Sequence, residues 1–408
     1  MKALEGSPTP HSNISISKRT GRHIVQLPSK AAIKIPHPEV LTIAVDVGGD
    51  KTKVAIMTDA HTVEVFTLPP YVYMEDIPRG ASRQRTRAVE PIASGISAML
   101  TTTTDDSNEE VAPPRTDNLS FERKGKRIIG GKGAGDLGGR TGLGQSKLEL
   151  LEEKVIMALI MAGVKPDSEF KLSVALPGKK GTFEREQSQV PIKLKRLAWT
   201  QDNAYNPSAK LIKTVPEGAH GHLYPLLVNP SLPDFSKMPD FSKIKHANFD
   251  GGWREMKVLA FDTSNLGQPS GTQSGVLEVG INEAYKRVAE QIGEENHESP
   301  EFVLAVNEAL KLGSQAPKYY VRAYSQSVDL SEDARIIFDD YQEEYIEEAF
   351  KLIPPGYHHF CLFGGVMHHY GEALGEEIEA RTGGECWVMD PCPEFVNAIC
   401  QVVDLACS

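Results

Sequence analysis

Three places in this 408-residue chain set acidic, hydroxyl or glycine residues where a short apolar run ends. The first is Ala44-Val-Asp-Val-Gly-Gly-Asp-Lys-Thr-Lys53. A carboxylate such as Asp46 at the end of a strand suits a hydrated Mg2+, which takes one or two carboxylates plus phosphate oxygens. Gly48 and Gly49 carry no side chains, so backbone N–H groups there can approach phosphates, and Asp50, Lys51 and Lys53 add charge around them. The second is Leu259-Ala-Phe-Asp-Thr-Ser-Asn-Leu-Gly267, in which Asp262 ends an apolar run and Thr263, Ser264 and Asn265 can donate to phosphate. The third is Phe360-Cys-Leu-Phe-Gly-Gly-Val366, where Gly364 and Gly365 allow backbone to lie flat against a purine or ribose. Each piece alone has a plainer reading, as a hairpin turn, a polar turn or a strand–glycine–helix corner. Three such turns brought to one place would form a Mg2+-nucleotide pocket.

The elements that must position these turns are legible in outline. Leu41–Val47, 51–57 and 62–68 read as three strands in quick succession, an antiparallel meander opening a mixed sheet. Strands are expected at 126–131, 171–176, 211–215, 257–261, 359–363 and 386–389. Helices are expected at 146–161 (capped by Ser146), 281–293, 301–312, 333–352, 368–381 and 394–405. The first forty residues, polar and rich in Pro and Ser, read as a disordered arm. A mobile loop is expected within 73–120, where Thr101–Thr104 run into Asp105, Asp106, Glu109 and Glu110. The hexamer Pro233-Asp-Phe-Ser-Lys-Met recurs at once as Pro239-Asp-Phe-Ser-Lys-Ile, which reads as a surface insertion because two copies are too few for a solenoid.

Composition narrows the function. A net charge of −11 disfavours direct contact with nucleic acid, which needs clustered Lys and Arg. No apolar run reaches the length of a membrane span, and no signal-peptide pattern opens the chain. Five cysteines without a CxxC pair argue for reduced thiols and a cytoplasmic setting. His358, His359, His368 and His369 near Cys361 match no common zinc spacing. Gly133, Gly135 and Gly138 fit G-x-G-x-x-G formally, but further loop residues follow where a dinucleotide fingerprint must open a helix. The helix at 333–352 is crowded by Asp339, Asp340, Glu343, Glu344, Glu347 and Glu348, a solvated face or one neutralised by a basic neighbour.

In order and spacing the three turns resemble the phosphate-1, phosphate-2 and adenosine segments of the actin, Hsp70 and sugar-kinase superfamily, over about 41–405. Within it the chain is most similar to the ParM/StbA-type bacterial actins. Gly130-Gly-Lys-Gly-Ala134 with Lys147 resembles their first-domain loop and helix. Thr214-Val-Pro-Glu-Gly218 resembles the loop carrying their water-polarising glutamate, and Gly280 resembles the start of their ribose-side helix. The resemblance implies an α/β, actin-like fold of two ribonuclease-H-like domains with mixed sheets flanking a nucleotide cleft. Domain I would span 41–255 with the closing helix 391–408, and domain II would span 256–390. It implies ATP or ADP with Mg2+, with Asp46 and Asp262 as metal-holding carboxylates and Glu217 orienting the attacking water. Gly48, Gly49, Asp50 and Lys53 would line the phosphates with Thr263, Ser264 and Asn265. Gly280, Glu283, Lys286, Gly364, Gly365 and Val366 would meet the nucleoside. The second segment departs from the pattern, since the family sets a glycine soon after its aspartate and here Gly267 comes late.

The activity so implied is a filament-forming ATPase, in plasmid segregation or a bacterial cytoskeleton controlling cell shape. Its partners would be further copies of itself and a small DNA-binding adaptor. A small-molecule kinase of the same superfamily is the alternative, though no aspartate base stands clearly before the second segment. A non-catalytic nucleotide-binding scaffold is a third reading.

Overall fold

A computed structural model describes residues 14–17, 22–27, 40–47, 51–68, 71–77, 119–139, 150–176, 182–223, 244–262, 269–270, 273–389 and 392–408. The expected loop within 73–120 and the repeat at 233–244 lie almost wholly outside the described residues.

Seven strands form the first sheet: β1 (Ile14–Ile16), β2 (His23–Gln26), β3 (Leu41–Val47), β4 (Thr52–Asp59), β5 (Thr62–Leu68), β9 (Glu169–Leu176) and β12 (Ser208–Pro216). Their order is β1-β2-β5-β4-β3-β9-β12. The expected meander is present as β3, β4 and β5. The disordered arm is not what the structure holds throughout 1–40, because β1 and β2 extend the meander edge and Val25 is fully buried. A second, antiparallel sheet joins β6 (Val72–Asp76), β7 (Leu119–Arg123), β8 (Lys126–Gly130), β10 (Trp199–Thr200) and β11 (Ala204–Tyr205). The third sheet contains β13 (His246–Gly251), β14 (Met256–Phe261), β15 (Gly275–Leu277), β18 (His359–Phe363) and β19 (Glu385–Val388), in the order β15-β14-β13-β18-β19. A small hairpin, β16 (Tyr319–Val321) with β17 (Gln326–Val328), stands apart.

The first and third sheets are copies of one plan. β5-β4-β3-β9-β12 and β15-β14-β13-β18-β19 each run antiparallel, antiparallel, parallel, parallel from the meander edge. A division at 255/256 would cut the β13–β14 hairpin in two, so we place the boundary between the halves before His246.

The helices are α1 (Lys132–Asp136), which packs beside β6 and β8 of the second sheet, α2 (Leu151–Met161), α3 (Thr182–Leu194), α4 (Asn282–Ile292), α5 (Pro300–Leu312), α6 (Ser331–Phe350), α7 (Met367–Thr382) and α8 (Val396–Cys407). Strand alternation assigns each face its partner. Ile43, Val45 and Val47 of β3 pack with α2 in one core, while Ala44 of β3 and Ala55 of β4 lie under α8 in another. Their small side chains let that helix approach closely. Ala247 and Phe249 of β13, with Met256, Val258 and Ala260 of β14, pack against α4, α6 and α7. The acidic surface of α6 is partly neutralised within the chain, by Arg287 on Glu344 at 2.7 Å and Arg381 on Glu347 at 2.7 Å. Among the described residues, no helix is long and apolar enough to cross a membrane.

Candidate active site

β13 alternates. With Ala247 and Phe249 turned into the third sheet's core, His246, Asn248 and Asp250 face the other way, toward α8 and the loop after β12. On β14, Lys257, Leu259 and Phe261 share that face. The same holds in the first sheet, where Asp46 and Lys53 lie on the Ala44–Ala55 side beneath α8. The two sheets thus present their acidic and basic strand ends to each other.

The register of the two hairpins is identical. Asp46 pairs directly with Lys53 across β3 and β4, and Asp250 pairs directly with Lys257 across β13 and β14. Each aspartate precedes its lysine by seven residues and is followed within three residues by a pair of glycines, Gly48-Gly49 or Gly251-Gly252. Asp250 is therefore the counterpart of Asp46, a residue that the sequence reading passed over in favour of Asp262. Burial pushes the Asp250 carboxyl above the usual range, and the charge of Asp46 pushes the same way; Lys257, Lys53 and a bond from Asn397 oppose it.

Asp262 belongs elsewhere. Phe261 pairs with His246, so Asp262 sits beyond the opposite end of the hairpin from Asp250, five residues past its partner Lys257 and about 16 Å away along the strand at 3.3 Å per residue. It lies 3.7 Å from the Lys245 ammonium and is half-buried. Asp262→Ala is expected to leave Mg2+-nucleotide affinity within about twofold, as a site beyond coupling distance should; a tenfold loss in a titration would restore it as a ligand. Thr263, Ser264 and Asn265, which follow it, lie outside the described residues, as do Gly48, Gly49 and Asp50.

Glu217 stands at the head of the loop after β12. It is 2% exposed, and its carboxylate takes a hydrogen bond from the Lys257 ammonium. Lys257, 7% exposed, also lies 2.7 Å from Glu255. The loop is pinned at Gly218, whose carbonyl accepts from Asn248 Nδ2 at 2.8 Å. Gly218 N–H donates to Asn397 Oδ1 at 3.1 Å, and the same amide's Nδ2 donates to Asp250 Oδ2 at 2.9 Å. Asn397 on α8 therefore joins the Glu217 loop to Asp250. Neither Asn397 nor Lys257 was singled out from the sequence, although the repeated seven-residue spacing from aspartate to lysine would have found Lys257.

The Gly364-Gly365 turn meets this cluster. Gly364 has φ +95, and a Cβ there would lie 2.3 Å from the Gly251 carbonyl oxygen and 2.8 Å from Asp250 Oδ1. Val366 is fully buried, and its N–H donates to the Gly251 carbonyl at 3.1 Å. At Gly365 nothing lies within 4 Å of an added Cβ, so this glycine borders open space. Gly280 packs on the same hairpin turn: an added Cβ would come 2.3 Å from the Trp253 carbonyl, and Asn282 N–H donates to that carbonyl at 2.9 Å. Glu283 and Lys286, half-exposed on the first turns of α4, lie 3.6 Å apart. The structure thus gathers Asp46, Lys53, Glu217, Gly364, Gly365 and Val366 with Asp250 and Lys257, sets Gly280, Glu283 and Lys286 behind the turn, and excludes Asp262.

Among the described residues, no group of three or more His, Cys, Asp or Glu side chains is disposed to hold a metal unaided. Two carboxylates fit Mg2+ with a polyphosphate, since that ion keeps several waters and takes its remaining ligands from phosphate. The raised Asp250 carboxyl beside Asp46 is a buried like-charge arrangement of the kind a divalent cation relieves.

No protein-family model and no curated protein sequence matches the chain. Solved structures match it in shape. The archaeal actin homolog Ta0583 superposes with TM-score 0.61 at 20% identity, covering 90% of this chain and 99% of that one; its complex with ADP gives 0.59 at 18%, with the same coverage. ParM from a 15-stranded Clostridium botulinum filament gives 0.55 at 14%, covering 90% of this chain and 99% of that one. With its duplicated sheets and the cluster held between them, the chain has the actin-like fold.

Proposed function

We propose that the chain binds ATP and Mg2+ between its two halves, hydrolyses the nucleotide slowly, and assembles into filaments. The observation that carries this reading is the duplicated Asp–Lys hairpin. The charges of Asp46 and Lys53 from one sheet reach Asp250 of the other, and Lys257, directly across from Asp250, holds Glu217. Phosphoryl transfer asks a protein mainly for positioning and charge stabilisation, which this set can supply.

The residues divide the work. Lys53 draws the phosphates against the first hairpin. Asp46 and Asp250 would hold Mg2+, which when bound would neutralise phosphate charge. Glu217 orients the attacking water. Gly365, open to solvent space, lets backbone lie against the adenosine, and the α4 start with Gly280 supports the turn from behind. Within the site Asp46, Glu217, Asp250 and Glu255 set four carboxylates against Lys53 and Lys257, so a triphosphate requires an added cation to bind.

Filament formation draws on fold likeness to ParM from a filament, and nucleotide binding on likeness to a protein crystallised with ADP. A role in plasmid segregation would add a small DNA-binding adaptor; a cell-shape role would not. One observation favours a non-catalytic scaffold as the second reading, namely that the Glu217 carboxylate is already held by Lys257. Light scattering and pelleting with ATP, ADP or a non-hydrolysable analogue, with phosphate release followed in parallel, decide between them. Glu217→Ala is expected to slow phosphate release about a hundredfold while leaving ATP-dependent pelleting intact. Release at the wild-type rate would remove Glu217 from its role, and the absence of any polymer would remove the filament.

A further inference from the structure

Lys257 stands in the third sheet where Lys53 stands in the first, directly opposite the aspartate of its hairpin. Lys257 lies directly across its hairpin from Asp250, and the charge of Lys53 from the first hairpin reaches the same carboxyl. Unlike a solvated lysine, Lys257 is buried and committed: its ammonium bonds Glu217 and lies 2.7 Å from Glu255. Leaving a buried charge unpaired is strongly destabilising, so Lys257 can leave Glu217 only for another anion. A terminal phosphate entering between the hairpins is such an anion, with more charge and more acceptor oxygens than one carboxylate.

Resting on the nucleotide reading above, we infer that Lys257 is a terminal-phosphate contact for which the nucleotide and Glu217 compete. With no terminal phosphate to bind, Lys257 would stay on Glu217, the pairing seen in the structure. A bound triphosphate takes the ammonium, and the carboxylate so released becomes available to water. A diphosphate, lacking the terminal group, leaves the pair closed. The pair thereby distinguishes tri- from diphosphate before any bond is broken, a role distinct from that of Lys53, which serves both nucleotides.

Competition has a signature that a structural ion pair lacks. Affinities for ADP and for a non-hydrolysable ATP analogue, with Mg2+, are measured on the full chain by displacement of a fluorescent ADP. Lys257→Met is expected to weaken the triphosphate analogue about tenfold and ADP less than about twofold, a change of about five- to tenfold in the ratio. Glu217→Gln removes the rival and is expected to tighten the analogue severalfold, with ADP unchanged. The double variant Glu217→Gln/Lys257→Met shows no such gain, because the benefit of the first change passes through the lysine. Lys257→Arg retains the discrimination and guards against a folding defect in the methionine variant. Equal losses for both nucleotides in Lys257→Met, or no tightening in Glu217→Gln, overturn the competition while leaving nucleotide binding in place. A wild-type chain that binds neither nucleotide overturns the nucleotide reading and the competition with it.

Discussion

Asp250→Asn is expected to weaken Mg2+-nucleotide binding about a hundredfold or more, and at the same time to stabilise the nucleotide-free protein. Outer-shell partners of a metal typically matter by ten- to a hundredfold, and a carboxylate that itself faces the ion should matter at least as much. The opposite effect on stability follows from the raised Asp250 carboxyl. In the window between the ordinary aspartate range and that raised value, the folded chain keeps a proton that the unfolded chain has lost. Stability therefore falls as pH rises through the window. Asparagine is neutral throughout and can still accept from Asn397, so the slope disappears. Thermal melts of the two proteins from about pH 4 to about pH 8 should converge at the acid end and separate toward neutrality, the variant melting higher. Unchanged nucleotide affinity would dismiss Asp250 as the second carboxylate of the site; a variant less stable at every pH would mean that its charge supports the fold.

Gly364→Ala is the second large effect, and it concerns the fold first. Its backbone lies in the left-handed region, and the new methyl group would meet the Gly251 carbonyl oxygen at 2.3 Å and the Asp250 carboxylate at 2.8 Å. Backbone cannot rotate aside as a side chain can, and a non-glycine residue in such a conformation costs about 1–3 kcal/mol before any clash. Overpacking adds about 1–3 kcal/mol more. A loss of about 3 kcal/mol or more in urea unfolding is expected. The neighbouring change Gly365→Ala meets nothing and should unfold like the wild type while weakening nucleotide. Equal unfolding midpoints for the two variants would contradict the packing described here.

The contrast between Asp46 and Asp250 explains what could be read from the residues alone. β3 approaches Asp46 through Ile43, Ala44 and Val45, an unbroken apolar run that announces a buried strand. β13 approaches Asp250 through His246 and Asn248, which interrupt the run and disguise the strand as a loop. Both are buried for reasons invisible in sequence: His246 stacks on Phe261 at 4.8 Å, and Asn248 grips the Gly218 carbonyl. The strand that was visible, β14, is antiparallel to β13, so the aspartate at its end points away from the site. Parallel and antiparallel partners cannot be told apart by apolar pattern alone. α3 escaped for a similar reason, carrying Pro191 and a mostly polar surface. Glu217 could be singled out from the sequence because Pro216-Glu217-Gly218 is a local motif. The ammonium that holds it comes from forty residues away.

The placement of α8 has a consequence for how the chain is made. The apolar face of β3, β4 and β5 is complete at Leu68, yet the helix that covers it begins only at Val396, which is 328 residues later (396 − 68). At bacterial or eukaryotic rates of synthesis that interval lasts roughly half a minute, during which Ala44, Ala55, Val63 and Val65 have no native cover. Asn397, which ties Asp250 to the Glu217 loop, arrives in the same late segment. A ribosome-bound chain therefore carries an uncovered apolar half-layer and an unjoined site until synthesis reaches α8.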